Sequence, residues 1–137
     1  YMADTGLLVT HSFMEEAFTE NELYRDILLD RLYAGEGILM ENVAAQELRA
    51  KGHKLFFYSR TDKDRRENHM EIYFLIRRER KICPVEVKSG AYRKHSSLDK
   101  FRTKFKGKIG QAFILYTKDI LVKDDVVHLP IYMAMFL

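Results

Sequence analysis

The chain has little that would brace a fold covalently or break it into parts. It has one cysteine, Cys83, in 137 residues, so an internal disulfide is excluded and a reducing compartment is favoured. Two prolines leave no obvious linker between domains, and no internal repeat or low-complexity segment is visible. There is no signal-peptide pattern and no apolar run near the ~18 residues a membrane helix needs. The longest such run, Ile131 to Leu137, is only a strand's length. A cytoplasmic protein with no membrane partner is therefore expected. The five histidines (11, 53, 69, 95, 128) lack metal-ligand spacing, and neither a Walker-type glycine loop nor a G-x-S-x-G elbow occurs. A formal net charge of +3 is too small to require a polyanionic partner, so the distribution of charge has to decide.

What is present is one domain's worth of ordinary globular sequence, 47% hydrophobic and 31% charged. Thr19 and Glu22 have capping-box spacing and predict a helix through "LYRDILLDRLY". A second helix is expected from about Ile38 to Lys51, with Gly52 as its C-terminal cap. "HKLFFYS", Glu71 to Arg78, Lys81 to Lys88 and "QAFILYT" read as strands, and "RRERK" as a hairpin turn. "RTDKDRRENH" reads as a charged loop. Ser96 or Ser97 caps a third helix with Leu98, Phe101 and Phe105 on one stripe, and Gly107 ends it. "VVHLPIYMAMF" should supply the last strand or strands. Helices around a central hairpin and further strands give an α/β or α+β sandwich. Beginning "YMADTGLL" and ending "MAMFL", the sequence reads as a C-terminal domain excised from something larger.

Candidate chemistry centres on "PVEVKSG". Strand alternation puts Glu86 and Lys88 on one face, opposite Val85 and Val87, with Cys83 on the valine face as a small core residue. Two readings fit: an edge strand or ion pair, or a metal-binding carboxylate beside a phosphate-facing ammonium. A second E-x-K triplet, Glu79-Arg80-Lys81, falls in the hairpin turn. On the second helix the polar side is centred on Asn42, Gln46 and Arg49. Glu41 and Glu47 project among apolar residues, where a carboxylate is costly unless paired or bound to a cation. From Lys88 to Lys108 eight Lys or Arg face one acid, Asp99. Lys94, Lys100, Arg102, Lys104 and Lys106 are expected to face outward beside the Glu86–Lys88 pair, as a phosphate-tracking surface or a solubilising helix face.

In order, "GILMENVAAQELRAKG", "ENHMEIYFLIRR" and "KICPVEVKSG" resemble the restriction-endonuclease-like PD-(D/E)XK superfamily. With "YMADTGLL" before them and "LPIYMAMF" after, the chain resembles more specifically the domain of unknown function 4143 family, found C-terminal to prokaryotic AAA-type ATPase modules. The resemblance spans essentially all of residues 1–137. It implies a single nuclease-like domain with a mixed β-sheet flanked by α-helices, an upstream ATPase domain as partner, and ATP bound only there.

The resemblance also assigns Glu41 and Glu86 as ligands for Mg²⁺ and Lys88 with Glu86 as the catalytic pair. It expects an aspartate where this chain has Tyr73. A tyrosine of reference pKa ~10 is a poor ligand for a hard cation, and Glu71, two residues earlier, is the possible substitute. The implied function is a nuclease-like domain with weakened or lost metal-dependent DNA phosphodiesterase chemistry. The alternatives are a non-catalytic DNA-binding or protein-docking module of the ATPase and a purely structural oligomerisation domain. Glu41, Glu86 and Lys88 should converge, with Tyr73 facing the same cleft.

Overall fold

The computed structural model describes residues 1–14, 36–60, 69–90 and 96–137. Within them the chain order is α1 (Thr5–Met14), α2 (Glu36–Ala50), β1 (Phe56–Arg60), β2 (Met70–Arg78), β3 (Lys81–Val87), α3 (Ser96–Lys104), β4 (Ala112–Tyr116), β5 (Leu121–Lys123), β6 (Val126–Pro130) and a 3₁₀ helix (Ile131–Phe136). The strands form one mixed sheet in the order β1-β2-β3-β4-β6-β5. β1, β2 and β3 pair antiparallel, β3 with β4 and β4 with β6 pair parallel, and β5 returns antiparallel to β6. A mixed α/β architecture with flanking helices is thus observed. The helix expected over "LYRDILLDRLY" and most of the charged loop lie outside the described residues.

Sequence chemistry accounts for this layout. β3 and β4 run parallel, so the chain must cross from one end of the sheet to the other, and α3 lies in that crossover. β4 is buried along its whole length, which is why "AFILY" is a continuous apolar run and not an alternating one. Its side chains divide between two cores. Phe113 and Leu115 join Val85, Val87 and Leu129 under Ala44, Ala45 and Leu48 of α2. Ala112, Ile114 and Tyr116 join Val126 under Leu98 and Phe101 of α3.

β2 departs from simple alternation. Phe56 of β1 pairs with Leu75 and Tyr58 with Ile72, so β2 spends one residue more than β1 between these partners. This β-bulge puts Ile72 in the α3-side core, whereas Phe74 and the partly buried Tyr73 pack on the α2 side. The bulge thereby turns Tyr73 toward α2.

The ends of elements follow local rules. Gly52, at φ 90°, closes α2 by donating its N–H to the Arg49 carbonyl at 2.9 Å, while the His53 N–H reaches the Leu48 carbonyl at 3.0 Å. Asp124 and Asp125, at φ 51° and 58°, join β5 to β6 in the geometry of a type I′ turn. Pro130 terminates β6, and the remainder of "VVHLPIYMAMF" is the 3₁₀ helix where strand was expected. Proline has no N–H to extend the ladder, and Ala134 seats the helix in the α2-side core.

Candidate functional site

β3 is an interior strand, third of six, so the edge-strand reading of "PVEVKSG" does not apply. Glu86 alternates with Val85 and Val87 and pairs in register with Ile114, which belongs to the α3-side core. Its side chain is only 4% exposed. A carboxylate this dry needs a compensating charge. Lys88 supplies it. Just beyond the end of β3, its backbone N–H donates to the Leu115 carbonyl at 2.8 Å, and its Nζ lies 2.5 Å from Glu86 Oε1.

The first turn of α2 borders the same strand end, since a Cβ added at Gly37 would lie 3.7 Å from Ser89 Oγ. One turn further on, the Glu41 carboxylate is hydrogen-bonded to the Tyr73 hydroxyl. Burial, followed by the Glu71 carboxylate, holds Glu41 above the ordinary carboxylate range, against the opposing pull of the Tyr73 hydrogen bond and the Lys88 charge. The Tyr73 hydroxyl is pushed up to about 12, first by burial and then by Glu41, with smaller contributions from Glu71 and Glu86. It is therefore a neutral donor at physiological pH. Glu71 is exposed and lies 3.8 Å from His69 Nε2. Charge coupling thus links Glu41 to Lys88 and Tyr73 to Glu86 across the end of β3, although Glu86 leaves the strand on the α3 side while Tyr73 packs on the α2 side.

Tyr1 is a member of this neighbourhood that no sequence pattern marked. Its ring lies 5.2 Å from that of Phe74, and burial followed by the charges of Glu41 and Glu71 pushes its hydroxyl up to about 12. The polar side of α2 holds it there. The Met2 N–H donates to Asn42 Oδ1 at 2.8 Å, and Gln46 Nε2 donates to Thr5 Oγ1 at 2.9 Å. Asn42 is fully buried. That polar stripe, which periodicity alone would send to solvent, is an interface with residues 1–5.

The donor set is a poor fit for a resident Mg²⁺. One carboxylate carries an ammonium at contact distance, the other accepts from a phenol, and the third expected acid is that phenol. Among the described residues no group of three or more His, Cys, Asp and Glu side chains is arranged to hold a metal ion. A hard cation wants charged oxygen ligands that it need not compete for.

The basic residues of α3 do not form a single outward row beside this pair. Lys94 lies outside the described residues. Lys104 Nζ donates to the Tyr58 hydroxyl at 2.7 Å and lies over the Phe105 ring. Lys100 is partly buried. Arg102 and Lys106 line a groove of about 870 Å³ at the other end of β3, near Lys81, with Arg78 on its opposite wall. Arg102 is 3.9 Å from Asp99. Among the described residues no helix is long and apolar enough to cross a membrane.

Among known proteins, the family described as Domain of unknown function (DUF4143) has a model that matches residues 36–133. No curated protein and no solved structure matches the chain.

Proposed function

The chain belongs to the DUF4143 family, and from that premise we propose that it is a restriction-endonuclease-like PD-(D/E)XK module of an AAA-type ATP-binding protein, one that binds DNA and has lost metal-dependent cleavage. The observation that carries this reading is the internal neutralisation of the site. Lys88 is spent on Glu86, and Tyr73 holds Glu41 by a neutral hydroxyl. In an active site of this type the lysine would orient water or stabilise charge growing on the scissile phosphate. Here its ammonium stabilises a buried carboxylate of its own strand. What remains is a polar cluster and, elsewhere on the sheet, a basic surface suited to phosphates. The upstream ATPase domain would be the partner, with ATP bound there.

A short labelled DNA duplex tests the reading. Binding should weaken steadily as salt rises, because phosphate contacts release counterions, and no cleavage should appear with Mg²⁺ or Mn²⁺. Metal-dependent cleavage that disappears in Lys88→Ala would overturn it. The protein-docking reading is favoured by one feature, the exposure of Tyr132, Met135 and Phe136 on the 3₁₀ helix. A chain that binds no DNA even at low salt would move the assignment there.

A further inference from the structure

The two most basic stretches of the described chain are "RRERK" (77–81), with four Lys or Arg, and "KFRTKFKGK" (100–108), with five. They are almost twenty residues apart in sequence, and between them they contain one acid, Glu79. The fold sets them on the two walls of one groove. Arg78 and Lys81 come from the β2–β3 hairpin, and Arg102 and Lys106 from α3 and the turn that follows it.

The groove has a built floor. Gly107 turns the chain at φ 79°, and the Gly110 N–H donates to the Ile82 carbonyl at 2.8 Å. A Cβ at Gly110 would sit 2.8 Å from Cys83 Sγ and 3.2 Å from Lys81 Cβ, so the loop is pressed against β3 and only glycine fits there. Arg78 is steadied by the Phe113 ring, 5.6 Å from its guanidinium carbon, a contact that leaves the charge in place. Three acids also border the groove, Glu79, Asp99 and Asp125. Asp99 lies 3.9 Å from Arg102.

From this geometry we infer that the DNA phosphate backbone lies in the groove between the β2–β3 hairpin and α3, gripped from both walls by Arg78, Lys81, Arg102 and Lys106. The inference rests on the DNA-binding reading above and assigns that binding to a surface. The groove is set apart from the Glu41–Glu86–Lys88 neighbourhood. Lys81 and Glu86 are five residues apart on one strand, or ~17 Å at ~3.3 Å per residue. Two walls of cations suit a duplex that carries one negative charge per ~1.7 Å of its length. The hairpin is therefore as much a part of the binding surface as the helix.

Fluorescence anisotropy with a short labelled duplex, run across a salt series, tests this on the chain as it stands. Arg78→Glu with Lys81→Glu, and separately Arg102→Glu with Lys106→Glu, should each weaken binding at least tenfold. Each pair should also flatten the slope of log K against log salt by about 1.8, two contacts at ~0.9 each. Lys51→Glu with Lys54→Glu, two exposed charges after α2, serves as the control of equal charge change and should have little effect. Because Arg78 also packs on Phe113, a gain-of-binding variant protects the test from misfolding. Glu79→Lys adds a cation to the hairpin wall and should tighten binding and steepen the slope by about 0.9. Loss of binding in the helix pair with no change in the hairpin pair and in Glu79→Lys would overturn the groove while leaving DNA binding intact. Absence of DNA binding in the parent chain would overturn both.

Discussion

Replacing Lys88 with methionine should expose how much the Glu86 ion pair matters. The substitution keeps the aliphatic stem and removes the ammonium 2.5 Å from Glu86 Oε1. Breaking a buried pair by deleting one partner costs ~3–5 kcal/mol, because the other charge stays behind in low dielectric. Glu86 is 4% exposed and qualifies fully; Lys88 is 26% exposed and already keeps some water, which points to the lower end, about 3 kcal/mol. For a chain of this size, at roughly 4 °C per kcal/mol, the melting temperature should fall by about 12 °C at neutral pH. Glu86→Leu added to Lys88→Met should recover most of the loss, as buried pairs are often replaceable by apolar residues. Thermal melts by circular dichroism at neutral pH measure both. A single variant melting within about 2 °C of the parent, or a double variant no more stable than the single one, would refute the reasoning.

Two further substitutions probe the surroundings. Burial and Glu71 raise the Glu41 pKa, so the stability this contributes is fully present below the unfolded-state pKa and is lost as pH rises through the folded-state value. Glu41→Gln, which can still accept from Tyr73, should therefore melt above the parent at pH 7, with the advantage vanishing below about pH 4; an advantage constant across pH would count against it. Asp125→Gly should stabilise by roughly 0.5 kcal/mol, because φ 58° is strained for aspartate, although glycine loosens the unfolded chain; a destabilised variant in urea titration would contradict the turn assignment.

How far the sequence was legible depends on the range of the interaction. α2, its Gly52 cap, α3 with its Leu98–Phe101 stripe, and the β2–β3 hairpin are set by periodicity and local caps, and all were readable. β5 was not, because its three residues are all exposed and only pairing with β6 makes them a strand. α1 carries little helical patterning and is recognisable chiefly by what Asn42 and Gln46 do with residues 1–5. The break at Pro130 could have been read from the proline alone. At the site, strand alternation correctly placed Glu86 with its back to the valines. The β2 bulge, which turns Tyr73 toward Glu41, left no trace in composition. The division of the basic residues between Tyr58 and a groove shared with the hairpin needed the tertiary fold. Periodicity says which way a side chain leaves its helix, but not which element waits there.

The central claim is that Lys88 and Tyr73 already occupy the carboxylates a divalent cation would need. Calorimetric titration of Mn²⁺ into the unmodified chain tests it most directly, with Tyr73→Asp, first shown to be folded, as the comparison. The account predicts no saturable heat for the parent below about 1 mM, a limit of ~4 kcal/mol of binding, and at least tenfold tighter binding, ~1.4 kcal/mol, once the aspartate is introduced. A one-to-one isotherm for the parent well below 1 mM, abolished by Glu86→Gln, would contradict it.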